Sequence, residues 1–185
     1  MIANPLLQAP QVTNTQDLFP LNLLALSAAD NLLENILRPT LTYLGVTCVA
    51  MEQLLLGTLL TTARLSALQR NEQAIGPYAI TPEQHTEIWD KHLALQPELA
   101  SKIRGLASQH CFLHNPHAEL GYNLGYATAI AWLIYERQQL SIGSHSDLPS
   151  LARIWERSYP HRGGRAQDFL RAWRSACKAA SPVSA

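Results

Sequence analysis

The chain has 185 residues with 14 Lys+Arg against 14 Asp+Glu, and charged side chains make up only 15% of it, where about 25% is usual. Zero net charge with an ordinary 47% of hydrophobic residues excludes a charged disordered chain and gives no overall charge for gripping nucleic acid. Three widely spaced cysteines, Cys48, Cys111 and Cys177, exclude a disulfide scaffold and read as reduced thiols.

Residues 1–20 hold Pro5, Pro10 and Pro20 among Asn, Gln and Thr, which predicts an extended arm. The arm has no Lys or Arg and no unbroken apolar run, so it does not read as a secretory signal. Leucines at helical spacing predict a helix over 22–37, stopped or kinked by Pro39. A second helix is expected over 49–68, apolar almost all round in its middle and therefore central. Its longest apolar run, near Leu54 to Leu60, is too short to span a bilayer, so no membrane contact is expected.

Residues 69–80, with Asn71, Gly76 and Pro77, read as a loop with a vestigial hairpin. Thr81-Pro82-Glu83-Gln84 is a helix start with threonine at N-cap, proline at N1 and glutamine at N3. That helix should run to about Leu95. Pro97 opens another to about Gln109, and a long helix is expected over 121–139. Ser146/Asp147 cap a helix to about Tyr159, and the last helix runs from Arg165 to about Lys178. The expectation is an all-α fold with an arm and leucine-rich helix over 1–36, a helical domain over 37–178 and a disordered tail over 179–185.

The zero net charge conceals an asymmetry. Residues 1–50 sum to −2, residues 51–150 to −3 and residues 151–185 to +5. Arg153, Arg157, Arg165, Arg171 and Arg174 fall in that last segment. They read either as a solvated helical face or as a docking face for an acidic partner or a phosphate backbone.

Residues of these types bear on three chemistries. His110-Cys111-x-x-His114-x-x-His117 is a zinc- or copper-type donor set. Asn115-Pro116 breaks any helix through it and no second ligand pair accompanies it, so the expectation is a polar turn with no metal and no cofactor. A Cys–His nucleophile pair finds no local sign of activation. The third chemistry, glycoside cleavage, needs a carboxyl group held protonated in a partly apolar cleft.

Residues 37–173 resemble a family of phage-encoded, lysozyme-like lytic transglycosylases. The resemblance is carried in order by LRPTLTYLGV (37–46), MEQLLLGTLLTTARLSALQR (51–70), AIGPYAITPEQHTEIW (74–89), NLGYATAIAWLIYERQ (123–138) and LARIWERSYPHRGGRAQDFLRAW (151–173). It implies a lysozyme-like helical fold in which the helix over 51–70 ends at the catalytic glutamate. Here Thr62 stands in the glutamate's place and Ala63 in that of the following serine. Ala79 stands where the family's loop carries a cleft-lining glutamine.

A threonine hydroxyl cannot protonate a glycosidic oxygen at neutral pH, so the resemblance implies a degenerate domain with no catalytic residue. Glu72 is the candidate for a relocated acid; Glu52 lies ten residues before Thr62, about 15 Å along the helix. Tyr78, Tyr122 and Tyr126, with Tyr135, are candidates for a vestigial groove or for packing. Trp89, Trp132, Trp155 and Trp173 read as core anchors.

The expected function is a virion structural or assembly protein, made in the bacterial host cytoplasm and located at a head–tail junction, in the tail or inside the particle. Its expected partners are copies of itself and other virion proteins, with peptidoglycan or packaged DNA as further contacts. The alternatives are an active muramidase with a relocated acid and a non-catalytic binder of glycan or host protein.

Overall fold

The computed structural model describes residues 29–69, 73–108, 114–144 and 146–179, with the backbone alone at 67–69 and 178–179. The expectations for the arm, for the helix start near Asn22, for Glu72, for His110 and Cys111 and for the tail beyond Ala179 lie outside the described residues.

The described residues are all-α. Helix α1 comprises Ala29–Leu32, a π-helical turn Leu33–Leu37 and Arg38–Leu44. Pro39 does not stop it. In the wide turn the Arg38 N–H reaches back to the Leu33 carbonyl, five residues away, and the register shift accommodates the ring and missing N–H of the proline. Gly45, at φ +85°, closes the helix in the left-handed conformation.

Helix α2 is Val49–Gln69, close to the expected bounds. Residues 73–80 form the expected hairpin remnant, a single antiparallel bridge between Ile75 and Ile80. Helix α3 runs as Pro82–Glu87, a π turn Ile88–His92 and a 3₁₀ turn Leu93–Leu95. It opens on the expected capping box: Gln84 N–H donates to Thr81 Oγ1 at 3.3 Å and Thr81 N–H donates to Gln84 Oε1 at 3.0 Å. Helix α4 is Pro97–Leu106.

The long helix expected over 121–139 is divided into α5, Glu119–Tyr122, and α6, Leu124–Glu136. Asn123 interrupts it at φ −102°, ψ 91°, and its Oδ1 accepts from Tyr126 N–H as an N-cap. Helix α7 is Leu148–Ser158, capped by Asp147 on Ser150 N–H, and α8 is Ala166–Ala179.

Helices α2 and α6 make the centre. Every residue from Tyr126 to Tyr135 is buried, as an all-round apolar helix requires. Helices α7 and α8 pack on each other and on α2, while α1 and α4 flank α6. The α2–α8 crossing is close at Gly57, where a Cβ would sit 1.9 Å from Phe169 Cζ, so a glycine lets the two helices meet. Trp155 is fully buried, Trp132 nearly so, and Trp89 and Trp173 are half-buried against the core. Among the described residues no helix is long and apolar enough to cross a membrane.

Candidate functional site

Two polar constellations lie inside this all-helical body. The first surrounds Thr62, which is 3% exposed. Its Oγ1 lies 2.6 Å from the Pro77 carbonyl, 2.8 Å from the Thr58 carbonyl and 3.3 Å from that of Leu59. A hydroxyl has one hydrogen to give. The Thr58 carbonyl already accepts from the helix backbone, so Pro77, reached at the shortest distance, is the acceptor with most need of it.

The Pro77 contact is one of several fixing the turn Gly76–Ala79. Tyr159 O–H donates to the Tyr78 carbonyl at 2.8 Å, and the Tyr78 hydroxyl meets Thr128 Oγ1 at 3.1 Å. Gly76, at φ +69°, lies so close to the α5 backbone that a Cβ would meet the Leu120 carbonyl oxygen at 1.9 Å. Ala79 closes the turn with φ +51° and its N–H on Gly76 O at 3.0 Å. Segments α2, α5, α6 and the end of α7 therefore converge on four residues.

Tyr78 and Tyr126 are both 0% exposed, so of the two alternatives, groove or packing, they take the packing one. They are interior residues, and burial pushes both phenols well above the usual tyrosine range. Tyr135 is likewise buried, its hydroxyl 2.7 Å from Thr58 Oγ1. Tyr122 is the surface member, 45% exposed. It borders a depression formed by α1 and the α5–α6 junction, away from Thr62. Ala63 and Ala79 are half-buried.

The second constellation centres on His85, which is absent from the residues singled out by sequence. His85 is 1% exposed, with Nε2 2.6 Å from the Tyr126 hydroxyl and Nδ1 2.9 Å from His117 Nδ1. The Trp89 indole N–H is shared between Tyr126 Oη at 3.0 Å and His85 Nε2 at 3.1 Å. Nε2 is thus on the accepting side, and the His85 proton belongs on Nδ1, from which it is donated to His117. Burial, with His117 as the second cause, lowers the His85 pKa to about 4. The Arg104 guanidinium lies 5.5 Å over the Trp89 ring.

One signal for His85 was present in the sequence. It falls on the same helical stripe as Ile88 and Trp89, the face that α3 turns inward.

The buried carboxylates are fully engaged. Glu119, 0% exposed, accepts from Ser108 N–H at 3.0 Å and from the Tyr122 hydroxyl and the Asn123 amide at 2.8 Å each. Glu52, 6% exposed, accepts from Arg38 Nε and Nη2 at 3.0–3.2 Å. That pairing, more than the second partner Glu34, holds the Arg38 guanidinium above its usual range.

Among the described residues no group of three or more His, Cys, Asp or Glu side chains is arranged to hold a metal ion. Cys48 and Cys177 are free thiols. Arg153 and Arg157 on α7, Arg165 before α8, and Arg171 and Arg174 on α8 are all exposed. Arg165 approaches Glu156 at 3.8 Å and Arg171 approaches Asp168 at 3.4 Å, pairs that at the surface contribute little. A scan against protein-family models, a search of curated proteins and a search of solved structures return no match.

Proposed function

We propose that the protein is a non-catalytic structural subunit of a bacteriophage particle. On this reading a lysozyme-like helical body has lost its cleavage chemistry and works through contacts with copies of itself and with other virion proteins. The observation that carries the loss of chemistry is Thr62. At the position where the resemblance puts a proton donor, a hydroxyl sits in the packed interior and fastens the Pro77 carbonyl. The methyl of Ala79 replaces the amide of the cleft loop. Glu119 and Glu52, the buried carboxylates, are taken up by structural donors.

The phage setting and the place in a particle, at a head–tail junction, in the tail or inside, come from the resemblance. The exposed arginines of α7 and α8 suit an acidic virion partner or packaged DNA.

Mass spectrometry of purified particles is expected to find the chain as a stoichiometric component, and its absence sinks the virion assignment. Zymography on purified peptidoglycan is expected to show no clearing. Clearing that survives Thr62→Ala and disappears with Glu72→Gln overturns the non-catalytic reading in favour of a relocated acid. Retention on peptidoglycan by a chain that does not enter particles would instead mark a glycan binder.

A further inference from the structure

We propose that the outer face of α7 and α8 binds the phosphate backbone of double-stranded DNA without reading its sequence. The face is built by helical register. Arg153 and Arg157 lie on the side of α7 opposite the buried Trp155, and Arg171 and Arg174 on the side of α8 opposite the buried Phe169. Both helices pack on α2 and on each other, so these four arginines face out from one layer. Arg162 and Arg165, both exposed, stand on the turn that joins the two helices. The Arg64 guanidinium of α2 reaches Ser175 Oγ at 3.4 Å and extends the patch toward the end of α8.

The cations of this face are left for a partner. Residues 151–185 hold seven bases and two acids. Those acids meet arginines only loosely, Glu156 with Arg165 at 3.8 Å and Asp168 with Arg171 at 3.4 Å, and exposed pairs of this kind hold little. Arg162 and Arg174 make no ion pair among the described residues. Arg153 donates to Ser150 Oγ and Arg157 to the Arg153 carbonyl, both within α7, and a guanidinium with five donors keeps the rest free for phosphate. Elsewhere, by contrast, Arg38, Lys91 and Arg137 each face a glutamate.

What the face lacks names the partner. A protein partner needs an apolar, aromatic centre to its interface. The exposed large hydrophobic residues of the described chain, Tyr43, Val49, Leu95 and Tyr122, all belong to other elements. A single strand needs exposed rings on which its bases stack. The rings of α7 and α8 are turned inward: Trp155 and Phe169 are fully buried and Trp173 is half-buried against the core. A duplex backbone needs only fixed cations and polar donors, and arginine grips phosphate with two N–H groups at once. The inference rests on the reading above in taking the arginines as a docking face, and it chooses DNA over an acidic protein there. It is tested on purified protein and free DNA, so its failure and absence of the chain from particles are distinguishable.

The test is fluorescence anisotropy of a short labelled duplex titrated with the full-length chain. Between about 50 and 200 mM salt the affinity is expected to fall by about two to three decades, as for roughly four to five phosphates neutralised, and equally for two duplexes of unrelated sequence. The double variants Arg153→Gln with Arg157→Gln and Arg171→Gln with Arg174→Gln are each expected to flatten the slope of log affinity on log salt by about two, and to weaken binding at low salt by at least about tenfold. Lys102→Gln, an exposed change on α4, should alter neither quantity. All these positions are exposed, so far-UV circular dichroism should match the wild type. No duplex binding at the lower salt, a slope that the arginine pairs do not change, or tighter binding to a single strand or to polyglutamate overturns the proposal.

Discussion

His85 makes the stability of this fold depend on pH in a way that one substitution isolates. Its imidazole is buried and neutral, accepting at Nε2 and donating from Nδ1, with a folded pKa of about 4 against about 6.5 in an unfolded chain. Between those values the unfolded state binds a proton that the folded state refuses. Stability is therefore complete above pH 6.5 and is lost as the pH falls toward 4. At pH 4.5 the two-unit gap below the unfolded pKa corresponds to about 2–3 kcal/mol. For a chain of this length that is a fall in Tm of about 5–10 °C.

Carboxylates titrate in the same range, so the wild-type curve alone does not report His85. The reading is the difference between wild type and His85→Gln, a side chain that cannot gain the proton. Urea unfolding at pH 7 and pH 4.5 is expected to show the wild type losing about 2–3 kcal/mol more than the variant over that interval. Parallel losses in the two proteins would refute the reasoning, whatever the variant costs at pH 7.

The remaining expectations concern the interior. Thr62→Val removes the hydroxyl under the Pro77 carbonyl and is expected to cost about 1–3 kcal/mol in urea unfolding, because a buried acceptor is left without a donor; no loss would remove the structural role assigned to Thr62. Gly57→Ala puts a Cβ into the Phe169 ring, and the repacking cost of about 1–3 kcal/mol should exceed the roughly 1 kcal/mol that alanine gains in a helix, giving a lower denaturation midpoint. Glu119→Gln sets an N–H₂ group among three donors and is expected to lower stability by about 1–3 kcal/mol; quenching of Tyr122 by acrylamide should rise with it as the ring loses its tether.

What could be read from the sequence was local. The capping box at Thr81–Gln84, the Asp147 cap and the bounds of α2 depend on residues within a few positions of one another, and they form as the spacing requires. Pro39 does not end α1 because a π turn, whose existence no residue type announces, absorbs its effect. Asn123 was a cap hidden inside an apolar run. Tyr78 and Tyr126 read as groove or packing residues alike because tyrosine carries a polar end. Their hydroxyls are satisfied by Thr128 and His85, 50 and 41 positions away, and such pairings are visible only once the helices are packed. The arginines of α7 and α8 were legible as exposed because both helices carry a clean apolar stripe that leaves them outside.

The turn Gly76–Ala79 has a consequence for how the chain reaches its native state. Its anchors are Thr62, Leu120, Thr128 and Tyr159, which span almost a hundred positions of sequence. No two neighbouring helices can hold it alone, and closing so many long loops is slow. The turn should therefore seat late, after α2, α6 and α7 have met. Substitutions at its anchors are then expected to speed unfolding while leaving the folding rate nearly unchanged, so this small plug sets how long the native state lasts rather than how fast it forms.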